Sequence, residues 1–110
     1  MTGPVDGAPA TVTVSGDVPP VVQVGGDLDL AGVTAVRPAL LAALCPGELV
    51  VDLRDTGYVS SAGVALLMEL TATAEDRGTV LAVRVAPGSP LARVLELTGL
   101  AAMLPVGAPV

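Results

Sequence analysis

The sequence predicts a single α/β domain with a mixed, mostly parallel sheet of four to five strands and about three helices. Apolar segments of strand length alternate with segments of helical periodicity, and strands that alternate with helices usually form a mostly parallel sheet. The length of 110 residues is typical of one domain. Hydrophobic residues make up 52% of the chain, which supplies one core even though aromatic residues make up only 1%.

The chain is predicted to begin with a leader and two strands. Residues 1–10 hold two Gly and two Pro without periodicity, and we interpret them as a flexible leader. Polar and apolar residues alternate over 11–15, which indicates a half-buried strand, and residues 21–24 form the second strand. Together these two strands are expected to add an antiparallel edge to the sheet.

A helix and a central strand follow. The helix is indicated by apolar residues spaced along one helical face: Val33, Val36, Leu40, Leu41 and Leu44. Pro38 lies inside this pattern, so the helix is either kinked there or begins nearer Val36. The apolar run over 49–53 is typical of a strand buried on both faces, as parallel strands are.

The second half continues the alternation, in the order β-β-α-β-α-β-α-β overall. Residues 54–59 are predicted to be a connection. Ser60 and Ser61 begin the second helix, because serine is a preferred N-cap residue, and Gly78 ends it. The remaining elements are a strand over 79–85, a third helix between Ser89 and Gly99, a short final strand over 102–106 that closes the domain 11–106, and a frayed tail over 107–110.

The charge composition argues against nucleic-acid and membrane partners. The net charge is −6, and the five basic residues are scattered arginines. A chain without a basic stripe is a poor ligand for nucleic acid or anionic lipid. Every apolar stretch is interrupted well before the roughly 18 residues that a membrane span needs. The single cysteine, Cys45, forms no internal disulfide and is interpreted as inert; with no signal peptide, a cytoplasmic location is expected.

The residues of common catalytic sites are missing. The chain has no His and no Lys, which excludes a Ser-His-Asp triad, a Schiff-base lysine and a P-loop lysine. Asp29, Asp52 and Asp55 lie near predicted strand ends, where a carboxylate magnesium site is conceivable. Acidic residues are common at caps and turns, and that interpretation is favoured. We therefore expect no enzyme, no metal and no cofactor.

Three motifs carry a family resemblance. Residues 52–67 run from a strand ending in Asp-Leu through a short loop and two serines into a helix. Gly-Asp-Leu-Asp at 26–29 precedes the first helix. Ser-Pro-Leu at 89–91 and Leu-Thr-Gly-Leu at 97–100 enclose the third. In this order and spacing they resemble the motifs of STAS domains, the fold of anti-sigma factor antagonists, over about Thr11 to Val106.

The resemblance implies a function. Such proteins bind an anti-sigma factor that is also a serine kinase, and thereby release a sigma factor. The kinase phosphorylates a serine of the antagonist and inactivates it, and a phosphatase restores it. Alignment on Gly63 places the phosphoacceptor at Ser61, with Ser60 as the second candidate. Ser60 stands where the family has Asp, and Ala62 stands where it has a second hydroxyl residue.

The resemblance also implies a partner-binding surface that contains Asp29, Tyr58, Ser60, Ser61 and Gly63. Asp29 matches an acidic residue that lies near the phosphoacceptor and faces the partner. Each residue has a simpler interpretation. The serines are common N-caps, Asp29 suits a helix start, and Tyr58 is either a packing residue at a strand end or an interface hot spot.

Electrostatics supports such a switch independently of the family. A phosphate adds about −1.5 to −2 charges at pH 7. A helix N-terminus tolerates those charges, because its free N–H groups and its dipole favour anions. A protein packed over the same terminus would bury an unpaired charge, at a cost of several kcal/mol. Phosphorylation therefore disables binding without unfolding the domain.

Two other functions remain open. One is a STAS interaction module that no kinase phosphorylates, as a scaffold in a larger assembly or a subunit that contacts a transporter. Ser60 in place of the family Asp favours it. The other, a small-molecule binder or nucleotide-dependent enzyme, is disfavoured because Lys, His and a Gly-rich phosphate loop are missing. The sequence leaves the choice between monomer and dimer open.

Overall fold

A computed structural model describes residues 9–16, 18–99 and 106–107. The mixed α/β class is confirmed. Within those ranges the elements are β1 (Thr11–Val14), β2 (Val21–Leu28), α1 (Leu30–Ala43), β3 (Gly47–Asp52), β4 (Thr56–Val59), α2 (Ser61–Arg77), β5 (Thr79–Arg84), α3 (Pro90–Thr98) and β6 (Val106–Gly107).

The sheet has the strand order β1-β2-β3-β5-β6, and β4 pairs with β2 off this path. Strand β1 runs antiparallel to β2, as predicted, and the other pairs are parallel. Strand β4 lies within residues 54–59, which the sequence predicts to be a connection without a strand. It forms because β2 continues to Leu28, beyond the predicted end of that strand, and offers its edge to Thr56–Val59.

Helices α1 and α2 pack on one face of the sheet, where α1 contacts β2 and α2 contacts β5. Alternate strand residues face these helices and are nearly inaccessible: Val22, Val24, Leu49, Val51, Leu81 and Val83. Leu91 and Leu95 of α3 join the same cluster. Burial of aliphatic area at roughly 25 cal/mol per Å² therefore holds this core together without stacked rings.

Two arginines tie α1 to α2. Arg37 of α1 forms a bidentate pair with Glu69 of α2, in which Nε lies 2.7 Å from Oε1. The Arg77 guanidinium, at the end of α2, donates to the carbonyl oxygens of Leu41 and Leu44. The Leu41 carbonyl also accepts from the backbone N–H of the cap residue Leu44, and the Leu44 carbonyl lies beyond the last turn of α1. Side-chain contacts therefore connect the two helices at two places, near the middle of each helix and at their C-terminal ends.

Helix α1 begins at Leu30 and includes Pro38. The interpretation that places its start nearer Val36 is therefore wrong. Pro38 is exposed, so its ring displaces no core side chain. In the described ranges, none of the helices is both long enough and apolar enough to cross a membrane.

The ends of the chain are described only in part. Residues 1–8 of the predicted leader, 100–105 of the predicted final strand and 108–110 of the predicted tail lie outside the described residues. Ala10 packs against the core cluster. Val106 and Gly107 pair with Val83 and Arg84, so β6 extends one residue into the predicted tail.

Candidate functional site

Two helix starts meet where β2 and β4 end. In the parallel pairing of these strands, Leu28 is the partner of Val59. The carbonyl oxygen of Leu28 accepts from the backbone N–H of Ser60 at 3.1 Å and from its hydroxyl at 3.1 Å. Asp29 follows Leu28 and begins α1, and Ser60 follows Val59 and begins α2. The N-termini of α1 and α2 are therefore side by side.

The first helix start has a charged cap. Asp29 is half-buried, and its Oδ1 accepts from the backbone N–H of Gly32 at 2.8 Å. This bond satisfies one of the four N–H groups that a helix start leaves unpaired, and the negative charge suits the helix dipole. The next residue, Leu30, is 72% exposed.

The second helix start has a neutral cap. The Ser60 hydroxyl accepts from the backbone N–H of Ala62 at 3.2 Å while it donates to Leu28. Ser60 is half-buried and uses its hydroxyl as both donor and acceptor. Ser61, one residue further on, is exposed. In the described part of the chain its hydroxyl makes no hydrogen bond to another protein group.

In each helix start, the residue three positions after the cap is a buried glycine that lies close against the strand ends. A Cβ on Gly32 would lie 2.0 Å from the carbonyl oxygen of Asp27. A Cβ on Gly63 would lie 2.7 Å from Cγ1 of Val59 and 2.8 Å from the carbonyl oxygen of Leu28. Neither position accepts a side chain without movement of the backbone or of packed neighbours. Gly63 is thus buried and positions the surface from beneath, out of direct reach of a partner.

The Asp27 side chain, near the end of β2, forms a hydrogen bond to the neighbouring strand β4. Its Oδ1 accepts from the backbone N–H of Tyr58 at 3.0 Å. Asp27 belongs to the Gly-Asp-Leu-Asp motif, but the sequence predicts no role for it, because this contact depends on β4. The Tyr58 side chain is 61% exposed, so the interpretation of Tyr58 as a packing residue is wrong.

Exposed and half-buried residues from the end of β4 and from both helix starts form one surface, which we call the double-cap surface. It consists of Asp29, Leu30, Tyr58, Ser60 and Ser61. Leu30 was not identified from the sequence, because the predicted apolar face of the helix begins at Val33. Leu30 and Tyr58 supply apolar area, and Asp29 and Ser61 supply polar groups. That combination is typical of surfaces that bind proteins.

The carboxylates considered for a metal site have separate roles. Asp52, at the end of β3, is 4% exposed and forms a salt bridge with Arg54 at 2.7 Å. The hydrogen-bonded Arg54 guanidinium lowers the pKa of the Asp52 carboxyl below its usual range and outweighs burial, which acts in the opposite direction. Asp29 caps α1, and Asp55 is exposed in a turn. Among the described residues, no three metal-ligating side chains converge.

Comparison with solved structures supports the fold. An anti-sigma factor antagonist from Mycobacterium paratuberculosis matches with a TM-score of 0.80 and 24% identity, over 92% of this chain and 87% of that one. An anti-sigma-factor antagonist (STAS) domain protein from Planctomyces limnophilus matches with a TM-score of 0.72 and 20% identity, over 88% of each chain. The anti-sigma factor antagonist SpoIIAA, in its unphosphorylated form, matches with a TM-score of 0.63 and 15% identity, over 91% of this chain and 90% of that one.

Comparison of sequences identifies the family. Curated protein sequences gave no significant match. The family model described as "Mlab, STAS domain" matches residues 6–105, which is nearly the whole chain. The three motifs, the sheet order and this match agree, and the chain therefore belongs to the STAS domain family.

Proposed function

We propose that this protein is an anti-sigma factor antagonist that binds its anti-sigma factor through the double-cap surface. The observation that carries the proposal is the juxtaposition of two helix starts around the Leu28 carbonyl, which brings Asp29 and Ser61 to one surface. The resemblance of the motifs implies this activity, and the similar solved proteins are described as anti-sigma factor antagonists. The partner is a protein, and no cofactor takes part.

The surface has the composition that a protein partner requires. Leu30 and Tyr58 are large, exposed and held by the ends of rigid elements. Tyrosine is among the residues that most often contribute strongly to binding, since its ring buries a large area at a low entropic cost. Asp29 and Ser61 flank this apolar area and give the contact its polarity. We therefore assign Leu30 and Tyr58 as the anchors of the interface.

We further propose that phosphorylation of Ser61 switches binding off. Ser60 is the poorer acceptor of a phosphate, because its hydroxyl is half-buried and engaged with Leu28 and Ala62. Ser61 is exposed on the first turn of α2. One of the similar structures is described as an anti-sigma factor antagonist in its unphosphorylated form.

A phosphate on Ser61 affects binding and folding differently. Asp27 and Asp29 flank Leu28 on the adjoining strand end, so the phosphate adds about −1.5 to −2 charges to an already acidic surface. The free N–H groups at the start of α2 compensate part of that charge in the isolated domain. A partner packed over it removes the water that compensates the rest. We expect the phosphorylated protein to stay folded and to lose its partner.

The test uses the ATP-binding anti-sigma factor encoded nearest to this chain. The two proteins are mixed without nucleotide and binding is measured by calorimetry; then ATP is added and the intact mass is recorded. We expect a complex, followed by the gain of one phosphate. Ser61→Ala should remove the phosphate, and the matched control Ser60→Ala should retain it. Absence of a complex with any such anti-sigma factor of the same genome would overturn the proposal.

A second candidate is a STAS module that binds a protein but is never phosphorylated. The observation in its favour is Ser60, which replaces the family's Asp and donates its hydroxyl to Leu28, as an ionised carboxylate does not. A complex that forms normally but gains no phosphate in ATP would select this candidate. In that case Ser61→Asp should still weaken the complex, since it places a charge on the same surface.

A further inference from the structure

The sheet has a second face that no described helix covers, which we call the open face. The residues that alternate with the core residues of β2, β3 and β5 point to it. Glu48 and Val80 are exposed there, with Val80 at 62%, and Val50 and Ala82 are half-buried. Parallel strands are normally covered on both faces. A parallel sheet with one face exposed therefore indicates a surface that is covered in the working assembly.

The middle of the open face is apolar. Val21 of β2 pairs with Val50 of β3, which in turn pairs with Ala82 of β5. These three side chains form a continuous apolar row across the strands. A shallow cavity of about 220 Å³, lined by Pro19, Glu48, Leu49, Val50, Val80 and Ala82, lies beside it.

Opposite charges lie at the two ends of the open face. Glu48, at the start of β3, is exposed next to Val80. Four residues further along the strands, about 13 Å away, Asp52 pairs in register with Arg84. Asp52 forms its salt bridge with Arg54, and Arg84 forms no salt bridge among the described residues. A cavity of about 300 Å³ opens there, lined by Thr13, Ser15, Val21, Gln23, Asp52, Arg54 and Arg84.

We propose that the open face binds a second copy of this chain, face to face, in a two-fold symmetric dimer. A two-fold axis between two such sheets, perpendicular to the strands near Val50, stacks the strands antiparallel. It brings the apolar rows into contact. It also places Glu48 of each copy over the end of β3 in the other, where Asp52 is already paired with Arg54 and Arg84 lies beside it on the neighbouring strand, about 4.8 Å away. Sheets pack in this way about 10 Å apart, with side chains from both faces interdigitated. The face is thus complementary to itself, as a symmetric interface requires.

Charge reversal tests the pairing between copies. The oligomeric state is measured by sedimentation velocity across a wide range of protein concentration, and we expect a dimer that dissociates on dilution. Arg84→Glu places two negative ends against each other, and Glu48→Arg places two positive ends against each other. Each variant alone should weaken the dimer by about a hundredfold, because like charges in an interface are strongly unfavourable. The controls Arg93→Glu and Glu75→Arg, on the exposed surface of α3 and α2, should leave the dimer unchanged.

Mixing the two reversed variants provides the decisive result. Glu48 and the new glutamate of one chain then meet Arg84 and the new arginine of the other, so both contacts are attractive again. Native mass spectrometry should detect a heterodimer in the mixture while each variant alone is monomeric. A misfolded variant would not recover in this way, so the result does not depend on an assumption about folding.

Three outcomes would overturn the proposal. A monomer at every concentration means that no second copy covers the face, including the case in which segments of the same chain do. A dimer that neither reversed variant weakens has its interface elsewhere. Failure of the two variants to combine means that Glu48 and Arg84 do not meet across a two-fold axis.

Discussion

The starts of α1 and α2 are built alike: in each, a cap residue with extended backbone is followed by an exposed residue, an alanine and a buried glycine. The four residues are Asp-Leu-Ala-Gly over 29–32 and Ser-Ser-Ala-Gly over 60–63. The shared glycine lies against the strand ends, where a Cβ would meet the carbonyl oxygen of Asp27 or Leu28. The first two positions differ in chemistry, with a carboxylate and an apolar neighbour on α1 and two hydroxyls on α2. The glycine therefore sets how closely each helix start approaches the sheet, and the two residues at the start of the segment set the chemistry of the surface.

The largest effect is expected at the shared glycines. Gly→Ala in an ordinary exposed helix position stabilises by up to about 1 kcal/mol. Here the new Cβ meets backbone oxygens, at 2.0 Å for Gly32 and 2.8 Å for Gly63. We expect Gly32→Ala to lower the free energy of unfolding by about 3 kcal/mol and Gly63→Ala by about 2 kcal/mol. Urea denaturation measures both. If either variant is as stable as the parent, that helix start does not require a glycine at this position.

The next largest effect is expected at Asp52, whose contribution to the free energy of unfolding depends on pH. The pKa of Asp52 is lower in the folded protein than in the unfolded chain. Its contribution to stability is therefore present above the ordinary Asp pKa of about 3.9 and lost as the pH falls through the folded value. Asp52→Asn should cost about 1.5 kcal/mol at pH 7 and flatten the acid side of the stability curve. An unchanged curve would show that the Arg54 contact contributes nothing.

The caps themselves come next. Asp29→Ala and Ser60→Ala should each cost about 1 kcal/mol at pH 7, because each removes the acceptor of one N–H group at a helix start. Urea denaturation at pH 7 measures both losses. A variant as stable as the parent would show that its cap contributes nothing to that helix start.

The smallest effect on stability is expected at Ser61. Its side chain is exposed, and Ser61→Ala should change the free energy of unfolding by less than about 0.5 kcal/mol. The same substitution removes the proposed phosphoacceptor. Thermal denaturation of Ser61→Ala and Ser60→Ala, measured side by side, therefore tests which serine stabilises the helix start and which one is only exposed to solvent. A loss at Ser61 equal to that at Ser60 would give both serines a structural role.

The sequence predicted the elements whose cause is local. The helix start at Ser60, the stop at Gly78 and the Ser89 cap follow from the chemistry of single residues. Strand β4 was missed because Thr-Gly-Tyr-Val has little periodicity and becomes a strand only by pairing with β2, some 30 residues earlier. For the same reason the predicted second strand ends at residue 24, whereas β2 continues to Leu28.

The role of Asp29, Ser60 and Ser61 as a binding site stays a prediction. The motifs named these residues, and the structure places Asp29 and Ser60 at two neighbouring helix starts, with Ser61 directly after Ser60. The burial of Gly63 and the exposure of Leu30 could not be obtained from spacing. Both depend on how closely the helix starts approach β2 and β4, which is a tertiary property.

The Arg77 contacts have a consequence for local opening of the two helices. Arg77 is the last residue of α2, and its guanidinium donates to the carbonyl oxygens of Leu41 and Leu44 at the end of α1. Fraying of either helix end breaks these hydrogen bonds, so the opening of the two ends is coupled. Arg77→Ala should therefore speed amide hydrogen exchange in the last turns of both α1 and α2.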